Sequence, residues 1–209
     1  MTRQNRVTPV GEIVATSARG GWMGNRGGRI HAEGALHPTR RWASRRWIIC
    51  RLDFKGRQRT IMGDSYTELF FLDEATALAA GHRPCYECRR RDALAYATAL
   101  DRAAPPMADA IDAILHEQRL GPHAHLPASA LPDGTLCRHE DACWLIAHGA
   151  LHRWSHHGYG EAIPLPVDSV EVLTPALTRR ALANGYRPQI HASSDSSKYS
   201  GGPGAEPPA

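Results

Sequence analysis

One stretch constrains this chain more than any other: Tyr66 to Arg91, YTELFFLDEATALAAGHRPCYECRRR. Thr67 to Leu72 reads as a short apolar strand. Asp73 follows in the place of a helix N-cap, where its carboxylate accepts from free backbone N–H groups. Glu74 adds negative charge to the first turn, which the helix dipole favours. Gly81 stands where a left-handed C′ residue belongs, and Pro84 comes at the distance that prevents the helix from resuming. The chain must turn there and present Cys85 and Cys88. Because RRRDALAYATALDRAA is a second helical run, the two sulfurs lie at its N-terminus, a position that favours thiolates.

A helix running into AAGHRPCYECR is similar to the second half of the Ada-type zinc module, the metal-binding domain of the Ada DNA-repair protein. In that family a helix followed by Gly-aromatic-Arg-Pro-Cys-x-x-Cys supplies two of four zinc thiolates. The likeness is close over Leu72–Arg90 and looser before it. It implies one zinc ion held in part by Cys85 and Cys88, and a role in DNA repair. The family also carries an upstream Cys-x-x-x-Cys pair, one cysteine of which accepts a methyl group from DNA phosphotriesters. Here the corresponding region offers only Cys50, so the methyl-acceptor role does not carry over.

The residues themselves give a second reason to look at Cys50. WIICRLDFKGRQRTIM reads as a hairpin, with Ile48, Cys50, Leu52 and Phe54 alternating to one face, a turn at Lys55–Gly56, and a return over Arg57 to Met62. Cys50 then points inward, toward the Cys85/Cys88 pair. Structural zinc takes four ligands in a tetrahedral array, and His31 or His37 is a candidate for the fourth. The metal-ligand set is therefore Cys50, Cys85, Cys88 and His31. The simpler readings are a buried core thiol for Cys50 and a pair of free thiols beside Arg89–Arg91. Five cysteines, an odd number, favour metal or free thiols over a disulfide framework. No apolar run approaches the ~20 residues of a membrane span, and MTRQNRVTPV lacks the apolar middle of a signal peptide. The expectation is a cytoplasmic protein.

Charge is distributed unevenly. Residues 1–59 hold thirteen Arg and Lys against three acids, whereas 60–91 sum to −1 and 92–209 to −5, for a net +4. A basic first third suits nucleic acid, although a solvated basic surface would look the same. ARGGWMGNRGGRIH has five glycines within positions 20–28 and reads as a loop; it matches neither a P-loop nor a dinucleotide turn. Its arginines, Arg26 and Arg29 among them, suit a phosphate backbone. In TRRWASRRW an RRW triplet recurs after five residues. Arginine for phosphate and tryptophan for base stacking is a single-strand-binding composition, so Arg40, Arg41, Trp42, Arg45 and Arg46 are further nucleic-acid candidates. A step of five puts the tryptophans on one face of neither strand nor helix. Only an irregular segment presents both; otherwise Trp47 belongs to the core.

His31-Ala32-Glu33 and Pro84-Cys85-Tyr86-Glu87-Cys88 also spell the H-x-E…P-C-x-x-C signature of zinc deaminases, in which the glutamate moves protons onto a metal-activated water. Glu33 and Glu87 are the carboxylates concerned. Against this, Gly34 and Pro38 break the helix that the histidine should open, and a helix rather than a strand leads to Pro84. Later in the chain, PMADAIDAILHEQRL is a helix with Met107, Ile111, Ile114 and Leu115 as its buried stripe and Asp109, Asp112 and His116 opposite. TLCRHEDACWLIAHGALHR is a β-meander with turns near His139–Asp141 and His148–Gly149. WSHHGYGEAIPLP reads as a loop whose His156 and His157 are weak catalytic candidates. ALANGYRP at 181–188 echoes ALAAGHRP at 77–84, a shared helix-stop solution.

These readings combine into an α+β fold of short antiparallel strands with packed helices in two lobes. Residues 1–104 form a metal-binding lobe, 105–191 a helix with a small meander, and 192–209 a Ser/Gly/Pro-rich disordered tail. The leading expectation is a zinc-containing nucleic-acid-binding protein, with DNA favoured over RNA, in repair or damage recognition. A zinc hydrolase or deaminase acting on a nucleobase or nucleotide is the first alternative, and a non-catalytic interaction module the second.

Overall fold

The computed structural model describes residues 2–58 and 60–195. In chain order the elements are β1 (Gln4–Val7), β2 (Ile13–Ala15), β3 (Trp22–Arg26), β4 (His31–Ala32), β5 (Ala35–Leu36), β6 (Trp47–Cys50), β7 (Leu69–Phe71), α1 (Glu74–Ala79), β8 (Arg83–Pro84), α2 (Arg90–Leu100), α3 (Ala108–Leu120), β9 (Ala124–Pro127), β10 (Leu136–His139), β11 (Ala142–Ala147), β12 (Ala150–Ser155), β13 (Gly158–Pro164), β14 (Ser169–Val172) and α4 (Ala176–Ala183). Two six-stranded sheets result, ordered β2-β1-β7-β3-β6-β8 and β13-β12-β11-β10-β14-β9, with β4 and β5 as a separate small hairpin. The fold is α+β as expected. The second sheet is wholly antiparallel, but the first is mixed, because β1 runs parallel to β7 and β6 parallel to β8. No helix among the described residues is long and apolar enough to cross a membrane.

Helix α1 is the hub. All six of its residues are buried, the apolar ones divided between two cores and Glu74 and Thr76 hydrogen-bonded. Ala77, Leu78 and the following Ala80 join a core with Val7, Ile49, Leu69 and Phe71 of the first sheet. Ala75 and Ala79 face Leu136, Leu145 and Tyr159 of the second. The first core also takes Ile111 and Leu115 from α3 and Leu177, Ala181 and Leu182 from α4. Residue 104 therefore separates the sheets but not the packing, since helices from beyond it complete the core of the first sheet.

Both ends of α1 follow their local chemistry. Asp73 is the N-cap: its Oδ1 accepts from the Thr76 N–H at 2.8 Å and from the Thr76 hydroxyl at 2.7 Å. At the other end the Gly81 N–H donates to Leu78 O and the His82 N–H to Ala77 O, the paired bonds of a Schellman motif. The echo at the C-terminus does the same, Gly185 donating to Leu182 O and Tyr186 to Ala181 O. Gly81 has φ +80, and a Cβ there would lie 2.8 Å from Cβ and 2.7 Å from Cδ of Arg119. We expect Gly81→Ala to cost about 1–3 kcal/mol in urea denaturation, through a left-handed alanine and displacement of Arg119.

Several expectations are corrected. The glycine-rich stretch is not one loop, because Trp22–Arg26 forms β3 inside the first sheet, between β6 and β7. Gly24 is required there, since a Cβ would lie 2.2 Å from Ile48 O and 2.9 Å from the Phe71 ring. Lys55–Gly56 does turn, with both φ values positive, but among the described residues no strand returns; β6 pairs with β3 and β8 instead. Helix α3 is rotated from the expected stripe: Met107 and Ile114 are exposed while Asp112 is buried, drawn in by Arg83, whose Nε and Nη2 donate to its two oxygens at 2.9 and 2.7 Å. The meander forms with its turns where expected, and the His156–His157 segment becomes the two-residue link of a further hairpin, β12 to β13. Of the expected disordered tail, residues 192–194 form a 3-10 turn whose Ser193 Oγ accepts from the Tyr159 N–H at 2.7 Å; residues 196–209 lie outside the described residues.

Candidate metal centre

Three thiols converge at the edge of the first sheet. Cys50 ends β6, and β8 runs parallel beside it with Ile49 opposite Pro84. The Cys85 N–H donates to Ile49 O at 3.0 Å, which sets Cys85 alongside Cys50. The chain then coils through one turn into α2, bringing Cys88 back. The Sγ atoms of Cys50, Cys85 and Cys88 all lie within 4.8 Å of one another. In a tetrahedral zinc thiolate, bonds of ~2.3 Å put sulfurs about 3.8 Å apart, so a small adjustment closes this triad on an ion. The Glu87 N–H donates to Cys85 Sγ at 3.3 Å, a bond that supports negative charge on that sulfur. Cys50 and Cys85 are buried, Cys88 partly so, and Met23 packs against the first two.

Mutual hydrogen bonding and burial split the three thiols. Hydrogen bonds from Cys50 and then Cys88 hold the Cys85 thiol far below its ordinary range. Cys50 is pushed far up, by its bonds to Cys85 and Cys88 and by burial. Cys88 is lowered by Cys50, but its bond to Cys85 and burial outweigh that and raise it. Three sulfurs this close share one negative charge; a bound cation lets all three ionise. Thiolate donors suit zinc and other soft ions, so the residues present fit the metal that the sequence suggested. A cavity of about 180 Å³ opens beside them, lined by Asn25, Phe54, Arg57, Tyr66 and Glu87.

His31 does not join the triad. Its Nε2 lies 2.8 Å from Gly63 O and its Nδ1 2.5 Å from Thr67 Oγ1. A carbonyl only accepts, so Nε2 carries the proton and Nδ1 accepts from the Thr67 hydroxyl, which itself accepts from the Ile30 N–H at 2.8 Å. Both ring nitrogens are thus spent in holding the β4–β5 hairpin to the strand before α1. His37 is exposed, and its Nδ1 accepts from the backbone N–H groups of Thr39 and Arg40. Among the described residues no further histidine or carboxylate completes the group. Glu33 is exposed at the β4–β5 turn, and Glu87 is tied to Arg57 at 2.5 Å. The deaminase pattern in the sequence is therefore not assembled in space. His156 and His157 sit at the β12–β13 turn, where burial, then the neighbouring His157 and Arg6, lower the pKa of His156. Cys137 and Cys143 stand opposite Trp144 and Arg138 respectively, which puts them on opposite faces of their sheet.

The basic candidates divide into two groups. Arg29, Arg40, Arg41, Arg45 and Arg46 are exposed. Arg46 meets Asp109 at 3.2 Å, with both side chains largely in solvent. Arg26, by contrast, is only 2% exposed, with its guanidinium carbon 4.0 Å from the centre of the Trp47 ring. The irregular segment between β5 and β6 brings the two tryptophans together, their ring centroids 6.2 Å apart. Trp42 remains 38% exposed and Trp47 is buried. Arg119, which the sequence did not single out, reaches the same ring, its guanidinium carbon 3.8 Å from the centroid. No protein-family model, curated protein or solved structure matches the chain.

Proposed function

We propose that this chain is a zinc-containing nucleic-acid-binding protein acting in DNA repair or damage recognition, and that its thiolate centre corresponds to part of an Ada-type module. The convergence of Cys50 with Cys85 and Cys88 carries the reading. The zinc ties the last residue of β6 to the start of α2, so it fixes the sheet edge rather than performing chemistry. The exposed arginines around Trp42 then meet phosphate, with DNA as the favoured partner.

A mobility or anisotropy titration with single- and double-stranded DNA tests this. Binding through several phosphates must weaken steeply between about 50 and 200 mM salt, each contact contributing about −0.7 to −0.9 to the log–log slope. Arg40→Ala and Arg45→Ala are each expected to flatten that slope by about one contact. A salt-independent response, or no complex with DNA or RNA at all, removes the proposal. The rival reading, a zinc hydrolase or deaminase, is favoured by the cavity beside the sulfurs, where a fourth ligand could be water; it is weakened by the Arg57 grip on Glu87.

A further inference from the structure

A concentration of uncompensated positive charge lies away from the cysteines. A cavity of about 500 Å³ opens between the β1–β2 turn, the irregular segment before β6, and the end of α3, a size typical of small-ligand sites. Arg26, Arg41, Arg119, Trp42 and Trp47 line it, and Glu12 is the single carboxylate that does. Each guanidinium is satisfied only by neutral acceptors. Arg26 Nη2 donates to Gly11 O at 2.7 Å, and Arg41 Nη1 to His37 O at 2.8 Å. Arg119 donates to Gly81 O and Arg45 O, both at 2.8 Å, and contacts His116 Nδ1. The buried Nε atoms of Arg26 and Arg119 have no hydrogen-bond partner.

Apart from Glu12, the acids near these arginines are committed elsewhere. Asp112, whose field reaches Arg119, is held by Arg83, and His123 at the cavity wall is paired with Glu171 at 2.6 Å. Burial, then repulsion from Arg119 and Arg41, pulls the Arg26 pKa down to about 9; burial, partly offset by Asp112, takes Arg119 to about 10. Next to them His82 is fully buried against the Trp47 and Phe71 rings, its ring nitrogens making no hydrogen bond of good geometry. Burial first, then Arg26 and Arg119, keeps it neutral, so it adds no charge of its own. A buried charge without a counter-charge is costly, and an anion entering this cavity would supply one. Two guanidiniums already rest on Trp47; Trp42, in edge contact with His116 but 38% exposed, is the ring with surface left for a planar ligand.

We propose that this cavity seats one nucleotide, its phosphate among Arg26, Arg41 and Arg119 and its base against Trp42. The inference deepens the nucleic-acid reading and rests on it only for the source of the nucleotide, a free monophosphate or one unit of a strand. Charge-assisted bonds to phosphate and stacking on an aromatic face are the two halves of the recognition.

Deoxyadenosine monophosphate is the probe, titrated calorimetrically into the full-length protein, with deoxyadenosine and inorganic phosphate alongside. The monophosphate should bind at one site and more tightly than either half. Trp42→Ala should weaken it roughly 5- to 150-fold, the worth of one stacked base, and Arg41→Gln should also weaken it. Arg153→Ala, on the exposed side of β12, should leave it unchanged. Trp42 and Arg41 are exposed, so these variants fold, and unchanged melting temperatures establish that. An oligodeoxyadenosine that competes with the monophosphate identifies a strand as the source; one that binds without competing identifies the free nucleotide. If the monophosphate does not bind, or binds equally to Trp42→Ala and Arg41→Gln, the cavity assignment is overturned whatever DNA does. Monophosphate binding without any DNA complex retains the cavity and removes only the proposal of DNA repair.

Discussion

Cys85→Ser and Cys50→Ala should each abolish the zinc binding proposed for the three-cysteine cluster. Mass spectrometry of the untagged protein should find one equivalent of zinc, and none in either variant. The prediction is demanding for Cys50, because it lies 35 positions before Cys85 and joins it only through the parallel contact of β6 with β8. With zinc in about thousandfold excess over its dissociation constant, linkage contributes about 4 kcal/mol. Chelation should therefore lower the melting temperature of the native protein and leave the variants unmoved. The loss stays below the 10–16 kcal/mol seen where zinc alone drives folding, because the two cores around α1 do not depend on the sulfurs. Since mutual hydrogen bonding lowers the pKa of one thiol and, with burial, raises the other two, binding should release about two protons near neutral pH. Calorimetry in buffers of different ionisation enthalpy reads that number directly. The same release makes affinity fall as pH falls. A Cys50→Ala protein that keeps its zinc would end the three-thiolate centre.

What could be seen in the sequence was local, and what could not was long-range. Asp73 as a cap and Gly81 as a left-handed stop are decided within one helical turn, so residue type was enough. Cys85 and Cys88 at a helix start followed from the same turn. Cys50 pointing inward came from alternation, and that alternation ends with β6 at residue 50, where the chain leaves the sheet. The Lys55–Gly56 turn was read correctly, yet the return strand was not there, since a turn residue fixes a reversal but not a partner. The edge of β6 is filled by two residues, Arg83 and Pro84, too short a strand for any period to announce. Charge misled in the other direction. Arginine normally marks surface, but Arg26 and Arg89 are buried, 2% and 3% exposed, one on Trp47 and the other on Trp22. His31 showed metal-ligand chemistry in the sequence, and only the position of Thr67 and Gly63 reveals its structural use.

Glu74→Ala should be the most destabilising carboxylate substitution in the chain, at about 3–5 kcal/mol in urea denaturation. Its side chain is 1% exposed and pairs with Arg89 at 2.8 Å. Removing it leaves a buried guanidinium over the Trp22 ring, with only Asp92, 34% exposed and at 2.8 Å, to balance it. Glu74 also accepts from the Tyr186 hydroxyl at 2.5 Å and the Gln189 N–H at 2.9 Å, while Asp73 beside it accepts from the Tyr159 hydroxyl at 2.8 Å and the His191 N–H at 3.0 Å. Two neighbouring carboxylates at the start of α1 thus tie the segment from Tyr186 to His191, and Tyr159 of the second sheet, to the hub helix. Tyr186→Phe removes one of these bonds and should cost only about 1–2 kcal/mol. Arg89→Met paired with Glu74→Ala in a double-mutant cycle should be milder than the sum, because the orphaned charge disappears with its partner. A single Glu74→Ala loss under about 1 kcal/mol would show that Asp92 suffices. Arg89 follows Cys88 directly, so the same substitution should also loosen the turn that carries the cysteines and lower the proposed zinc affinity, coupling the carboxylate of the hub helix to the candidate metal centre.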